Sequence, residues 1–168
     1  SAPSDIDFVP GQRRAVICQA DGTRVGVVDI DALLEGALAP VDWFDDIPHR
    51  VTQSEVAPDG GRAILFAPAD DSGFVSVLDL EDGTLETFNV RKGTLGAVIG
   101  PESSTAVLIH DKAPGEPVAG EPEPDIIAKS FAFTAFDLER GLTKLVRVDA
   151  APSRVAFDGD GDNAFVLV

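Results

Sequence analysis

Few side chains in this sequence are placed to do chemistry, and each has a structural use that competes with it. Asp158-Gly159-Asp160-Gly161-Asp162 sets three carboxylates at alternate positions. Calcium favours such a pattern, because this hard cation gathers about six to eight oxygen ligands. Asn163 stands where an EF-hand-like loop would place glycine, however, and no acidic residue follows at the distal position. The same residues can equally form a hairpin turn. His49 and His110 are the only histidines, and His110 is followed directly by Asp111. A His-Asp pair can move protons or hold a polar ligand, although two histidines without a further cluster make no catalytic constellation. No catalytic residue is therefore assigned, and His110 and Asp111 are candidate binding residues. Trp43-Phe44 is the other candidate for binding, since an exposed aromatic can anchor a partner. The alternative is that the pair covers neighbouring apolar surface. Cys18, the single cysteine, sits in the apolar stretch Ala15-Val16-Ile17-Cys18 and reads as a small buried hydrophobe.

The elements that must position these groups come from an internal repeat. Four segments share an apolar residue seven positions before an alanine, then a turn, the alanine and an apolar run. The alanines are Ala15, Ala63, Ala106 and Ala164, spaced by 48, 43 and 58 residues. The apolar residues seven positions earlier are Phe8, Val56, Ile99 and Phe157. A second signature follows in register. Val25-Gly26-Val27-Val28-Asp29-Ile30, Val75-Ser76-Val77-Leu78-Asp79-Leu80 and Phe133-Thr134-Ala135-Phe136-Asp137-Leu138 each end an apolar strand with Asp and a branched aliphatic. Short apolar runs bounded by Gly, Pro and Asp are strand signals. Asp59-Gly60, Asp82-Gly83 and Asp160-Gly161 are tight-turn dipeptides. Asp29, Asp79 and Asp137 are placed to accept backbone N–H groups in the turns that follow them. One turn of helix is expected at Asp31-Ala32-Leu33-Leu34-Glu35-Gly36, with Asp31 as its cap.

Four short antiparallel strands in about 40 to 50 residues make one β-propeller blade. The pattern of apolar-x-apolar, Pro-Asp-Gly, x-Arg-Ala, an apolar run and Val-x-Val-x-Asp-Leu resembles the repeats of the YVTN and lactonase-like propellers, cousins of WD40 blades. That resemblance implies an all-β propeller of about three and a half blades. Blade 1 is expected over 5–48, blade 2 over 51–92, blade 3 over 93–149, and the first half of blade 4 over 153–168. Within blade 3, residues 111–125 carry four prolines and five acidic residues against one lysine. Such a composition buries little apolar area, so it is expected to form an exposed, mobile insertion between the second and third strands. Half a blade at the end, with no Met anywhere and Ser1-Ala2-Pro3-Ser4 at the start, predicts a processed or excised piece of a longer propeller, or an arc that a second chain completes.

Composition narrows the function further. Hydrophobic residues make up 44% and charged residues 25%, as in ordinary globular domains. The formal net charge is −16, from 29 acidic against 13 basic residues, which argues against nucleic acid or anionic lipid as partner. Asp outnumbers Glu by 20 to 9, as a turn-rich or heavily solvated surface would require. No run approaches the roughly 20 apolar residues of a membrane span. The expected function is a non-catalytic binding or scaffold module for a protein or peptide, or for the missing blades of its own propeller. The alternatives are part of a lactonase- or hydrolase-like propeller enzyme, with its active site partly in other blades, or a propeller stabilised by calcium. No other cofactor is expected. Propellers of this repeat style are often exported, and the resemblance implies a periplasmic or extracellular setting.

Overall fold

The computed structural model describes residues 1–68 and 70–168, and it is all-β apart from two short helices. Three antiparallel sheets of four strands follow one another along the chain. They are β1 to β4 (Pro3–Phe8, Arg14–Gln19, Val25–Asp29, Val41–Phe44), β5 to β8 (Gln53–Val56, Arg62–Phe66, Phe74–Asp79, Leu85–Asn89) and β9 to β12 (Thr94–Ile99, Thr105–His110, Phe131–Asp137, Leu142–Val148). The hairpin β13–β14 (Arg154–Phe157, Ala164–Leu167) forms a sheet of two strands. Strand order within each sheet is the order in sequence. The first strands β1, β5 and β9 lie side by side at the inner edge. This is an open propeller arc.

Alternation on the strands builds the seams between blades. On β6, Ala63 and Leu65 face the first blade, where they join Val9, Val16, Cys18, Val25 and Val27 in one buried cluster. Ile64 and Phe66 face the third blade and pack in a second cluster with Leu108, Phe136 and Leu138. A strand buried on both faces can carry an unbroken apolar run, as Ala63-Ile64-Leu65-Phe66 does. Polar links reinforce the seams. Arg14 donates to Leu80 O at 2.5 Å, and Arg62 donates to Ser103 O at 2.9 Å. Both arginines precede the repeat alanine. In the third copy that position is Thr105, whose buried hydroxyl has no partner among the described residues. An apolar cavity of about 360 Å³ lies there, between blade 3 and the final hairpin, with Val107, Ala135 and Phe157 in its wall.

The turns follow from their residues. Gly60 and Gly161 take φ of 74° and 75°, and Ser103 holds φ of 54° in the third copy, a left-handed conformation that glycine adopts at least cost. Asp79 accepts from the N–H groups of Glu81 and Asp82, and Asp137 from that of Arg140. Helix α1 (Ile30–Leu34) departs from expectation at its cap. Asp29, extended at the end of β3, accepts the Ala32 N–H at 2.9 Å. Asp31 lies inside the first turn and pairs with Arg13 instead.

Residues 111–122 form neither helix nor strand, and all but Lys112 and Glu121 are exposed, whereas the segment's end turns helical. Pro122 leads into helix α2 (Glu123–Ala128), and Ile127 on that helix is buried. One cation ties this helix to the scaffold. Lys92, in the connection between β8 and β9, donates to Ile127 O at 2.9 Å and Ala128 O at 2.6 Å. A positive charge on the last carbonyls of a helix satisfies acceptors that have no partner within it.

Candidate functional site

Two histidines, His110 buried and His49 half-buried, brace the face of the arc that carries the insertion. Ser76 and Thr134 occupy the same repeat position, three residues before Asp79 and Asp137. The Ser76 hydroxyl lies 2.8 Å from His49 Nε2, and the Thr134 hydroxyl 2.7 Å from His110 Nε2. On the other side of each ring, Nδ1–H donates to a backbone carbonyl, Arg50 O at 2.9 Å and Gly93 O at 3.0 Å. Each Nδ1 therefore carries the proton, and each Nε2 accepts from the hydroxyl. His110 is 2% exposed. Burial pushes its pKa down to about 4, and nearby Lys92 pushes the same way. Neutral and fully hydrogen-bonded, these rings brace the third strands of two adjacent blades.

Around the insertion three cavities meet. The largest, about 480 Å³, lies between the insertion, the start of β11 and the end of β12, and Lys112, Lys129, Phe131 and Arg147 line it. Arg147 also lines a cavity of about 240 Å³ beside α2. Arg91 joins that one to a third, of about 160 Å³, which Lys92 and Asp111 share. Cations are scarce in this chain, yet five of them, Arg91, Lys92, Lys112, Lys129 and Arg147, line this one surface. Acidic residues balance part of this charge. Arg91 pairs with Glu123 at 3.0 Å, Lys112 with Glu116 at 2.6 Å, and Lys129 with Glu121. The hydrogen bond from Lys129 holds the Glu121 carboxyl below its ordinary pKa.

The candidate residues read from sequence fall in several places. His110 is buried with both nitrogens engaged, so it offers a ligand nothing. Its neighbour Asp111 is exposed and lines the small cavity beside Lys92. Trp43 and Phe44 are separated by strand alternation. Phe44 packs on the seam between blades 1 and 2. Trp43 remains 39% exposed, with the Arg24 guanidinium 4.3 Å above its ring and Gly26 beneath it. Asp158 accepts from Asn163 N at 3.0 Å and Asn163 Nδ2 at 2.6 Å, so its carboxylate closes the hairpin between β13 and β14. Its pKa is lowered by those bonds. Among the described residues no three His, Cys, Asp or Glu side chains converge as a metal would need. Sequence reasoning missed Lys92, Lys129 and Arg147. The signal for Lys92 was the pair Arg91-Lys92, two adjacent cations in an acidic chain.

At the inner edge, a second group of carboxylates gathers. Asp5 accepts from Ser54 N at 2.8 Å and Asp7 from Ser54 Oγ at 2.6 Å. Burial, with Asp7 and Asp5 nearby, raises the Glu55 carboxyl to about 6.

No protein-family model matches the chain, and no curated protein matches it. Solved structures do. Hydrazine synthase of Kuenenia stuttgartiensis aligns with a TM-score of 0.64 at 17% identity, over 98% of this chain and 43% of that one. The β-propeller domain of Cps50 (Swd1) from Myceliophteria thermophila aligns with a TM-score of 0.65 at 11% identity, over 98% of this chain and 48% of that one. The chain thus spans less than half the length of either structure. At such identities the likeness shows the fold, a β-propeller, and no more.

Proposed function

We propose that this propeller arc is a non-catalytic binding or scaffold module that recognises a protein or peptide through the surface carrying the insertion. One observation supports the reading above the rest: a segment inserted in a single blade is pinned to the scaffold by Lys92 and walls three adjoining cavities. Binding residues concentrate on loops held by a rigid framework, and the buried seams supply that framework. The test is a peptide-library selection on the full chain and on a variant in which residues 113–128 are replaced by a short Gly-Ser link. Binders selected on the full chain should be lost on the variant while its β-sheet circular dichroism persists. Binders that survive the replacement would place recognition elsewhere.

A second reading draws support from Glu55. A carboxyl with its pKa at about 6 beside Asp5 and Asp7 has the character of a general acid, as a hydrolase-like propeller would need at its inner edge. Hydrolysis of a chromogenic ester or lactone panel that disappears in Glu55→Gln would favour that enzyme reading.

A further inference from the structure

The largest cavity beside the insertion contains a charge arrangement that the fold leaves incomplete. Lys112 is mostly buried, its side chain 17% exposed, with Nζ 4.8 Å above the face of Phe131. Its carboxylate partner, Glu116, is 81% exposed and comes from the loop itself. An ion pair with so exposed a member adds little, because water and salt screen it. Lys129 is committed to Glu121. On another wall Arg147 has no ion-pair partner among the described residues. The cavity thus offers a mostly buried lysine with a weakly held anion, an unpaired guanidinium and an aromatic face.

We propose that this cavity takes the carboxylate side chain of an acidic peptide, which replaces Glu116 on Lys112 and gains Arg147. Glu116, 81% exposed, swings into solvent as the ligand carboxylate takes its place on Lys112, and the added guanidinium bond makes the exchange favourable. A phosphate dianion would bring a second negative charge into the cavity beside Asp149. In the free protein Glu116 serves as an internal stand-in that competes with the ligand. The inference rests on the proposed peptide-binding function and names the chemistry of its anchor.

The experiment uses the isotopically labelled full chain, with NMR titration by an octapeptide bearing two central glutamates and by the same peptide with glutamines. The glutamate peptide should shift the Ser130 and Phe131 amides, and the glutamine peptide should bind about tenfold more weakly, as a lost hydrogen bond between charged groups implies. E116Q, at an exposed side chain, should tighten binding about two- to fivefold by removing the competitor. R147A should weaken it about tenfold, whereas R140A, a neutralisation in the turn at the opposite end of β11, should leave it unchanged. Equal binding of the two peptides, or no response to E116Q and R147A, overturns the proposal. Glutarate binding as tightly as the peptide would also overturn it, in favour of a small-molecule site. If a general library yields only non-acidic binders that require the insertion, the proposed function stands and this inference fails. If the library yields no binder at all, the function itself fails.

Discussion

Acidification from pH 7 to pH 4 should destabilise the protein through His110 in particular. Its ring is buried and neutral, with Nδ1–H bonded to Gly93 O and Nε2 accepting from Thr134. In the unfolded chain it regains an ordinary pKa near 6.5, and in the folded state it stays near 4. Between those values the unfolded chain binds more protons, so stability falls as pH falls. The contribution is fully present above pH 6.5, is lost progressively down to about pH 4, and is constant below. At about 1.4 kcal/mol per pH unit the full loss is roughly 3 kcal/mol, an order-of-magnitude figure. Other groups titrate in the same range. His49 is also lowered by burial and acts in the same sense, whereas Asp7 and Glu55, raised by burial, gain protons on folding and oppose it. A difference curve removes them. Urea unfolding free energies of the wild type and His110→Gln are measured from pH 7.5 to 3.5 and subtracted. The variant starts less stable, and its disadvantage should shrink by roughly 3 kcal/mol as pH falls from 6.5 to 4. A gap constant across that window would refute the neutral, buried assignment of this ring.

Three further outcomes follow from other sites. Phe136→Ala removes a ring fully buried in the seam between blades 2 and 3, edge-on to Phe88 at 5.0 Å, and should cost about 3 to 5 kcal/mol in urea unfolding. Lys92→Met leaves two carbonyls of the insertion without their donor and should cost about 2 kcal/mol, with faster proteolytic cleavage near Ile127 than in the wild type. Cys18, buried and with its thiol pushed up to about 12, should react with an aromatic disulfide reagent only at the rate of unfolding, with one equivalent released in denaturant.

The blades were legible because their physics is local and repeated. Alternation on strands, Asp-Gly turns and the Asp closing each third strand all leave marks within a few residues, and the repeat multiplies each mark. The insertion shows where this stops. Its prolines and carboxylates predict a solvated loop, and nothing near Ile127 signals that Lys92, some 35 residues earlier, would bind its carbonyl. His49 and His110 show a similar limit. Their partners Ser76 and Thr134 share a register position, but one histidine precedes its blade and the other ends a second strand, so no common spacing exists. Trp43 and Phe44 were adjacent candidates in sequence, and strand geometry alone sends them to different surroundings. Arg147 carried no sequence signal, because only the folded insertion gives it a cavity.

The unequal seams described above give the arc a direction. In a row of modules, total stability divides into the worth of each unit and the coupling between neighbours. Two couplings are filled: Leu65 and Leu78 on one side of blade 2, Ile64 and Phe136 on the other. Between blade 3 and the hairpin the arginine link is replaced by Thr105, whose hydroxyl has no partner among the described residues, with an apolar hollow beside it. Amide protection should be highest on β6 and β7, the strands of the middle blade packed against both neighbours. The insertion belongs to blade 3, so whatever occupies its cavities also stiffens the blade whose outer seam lacks the arginine link.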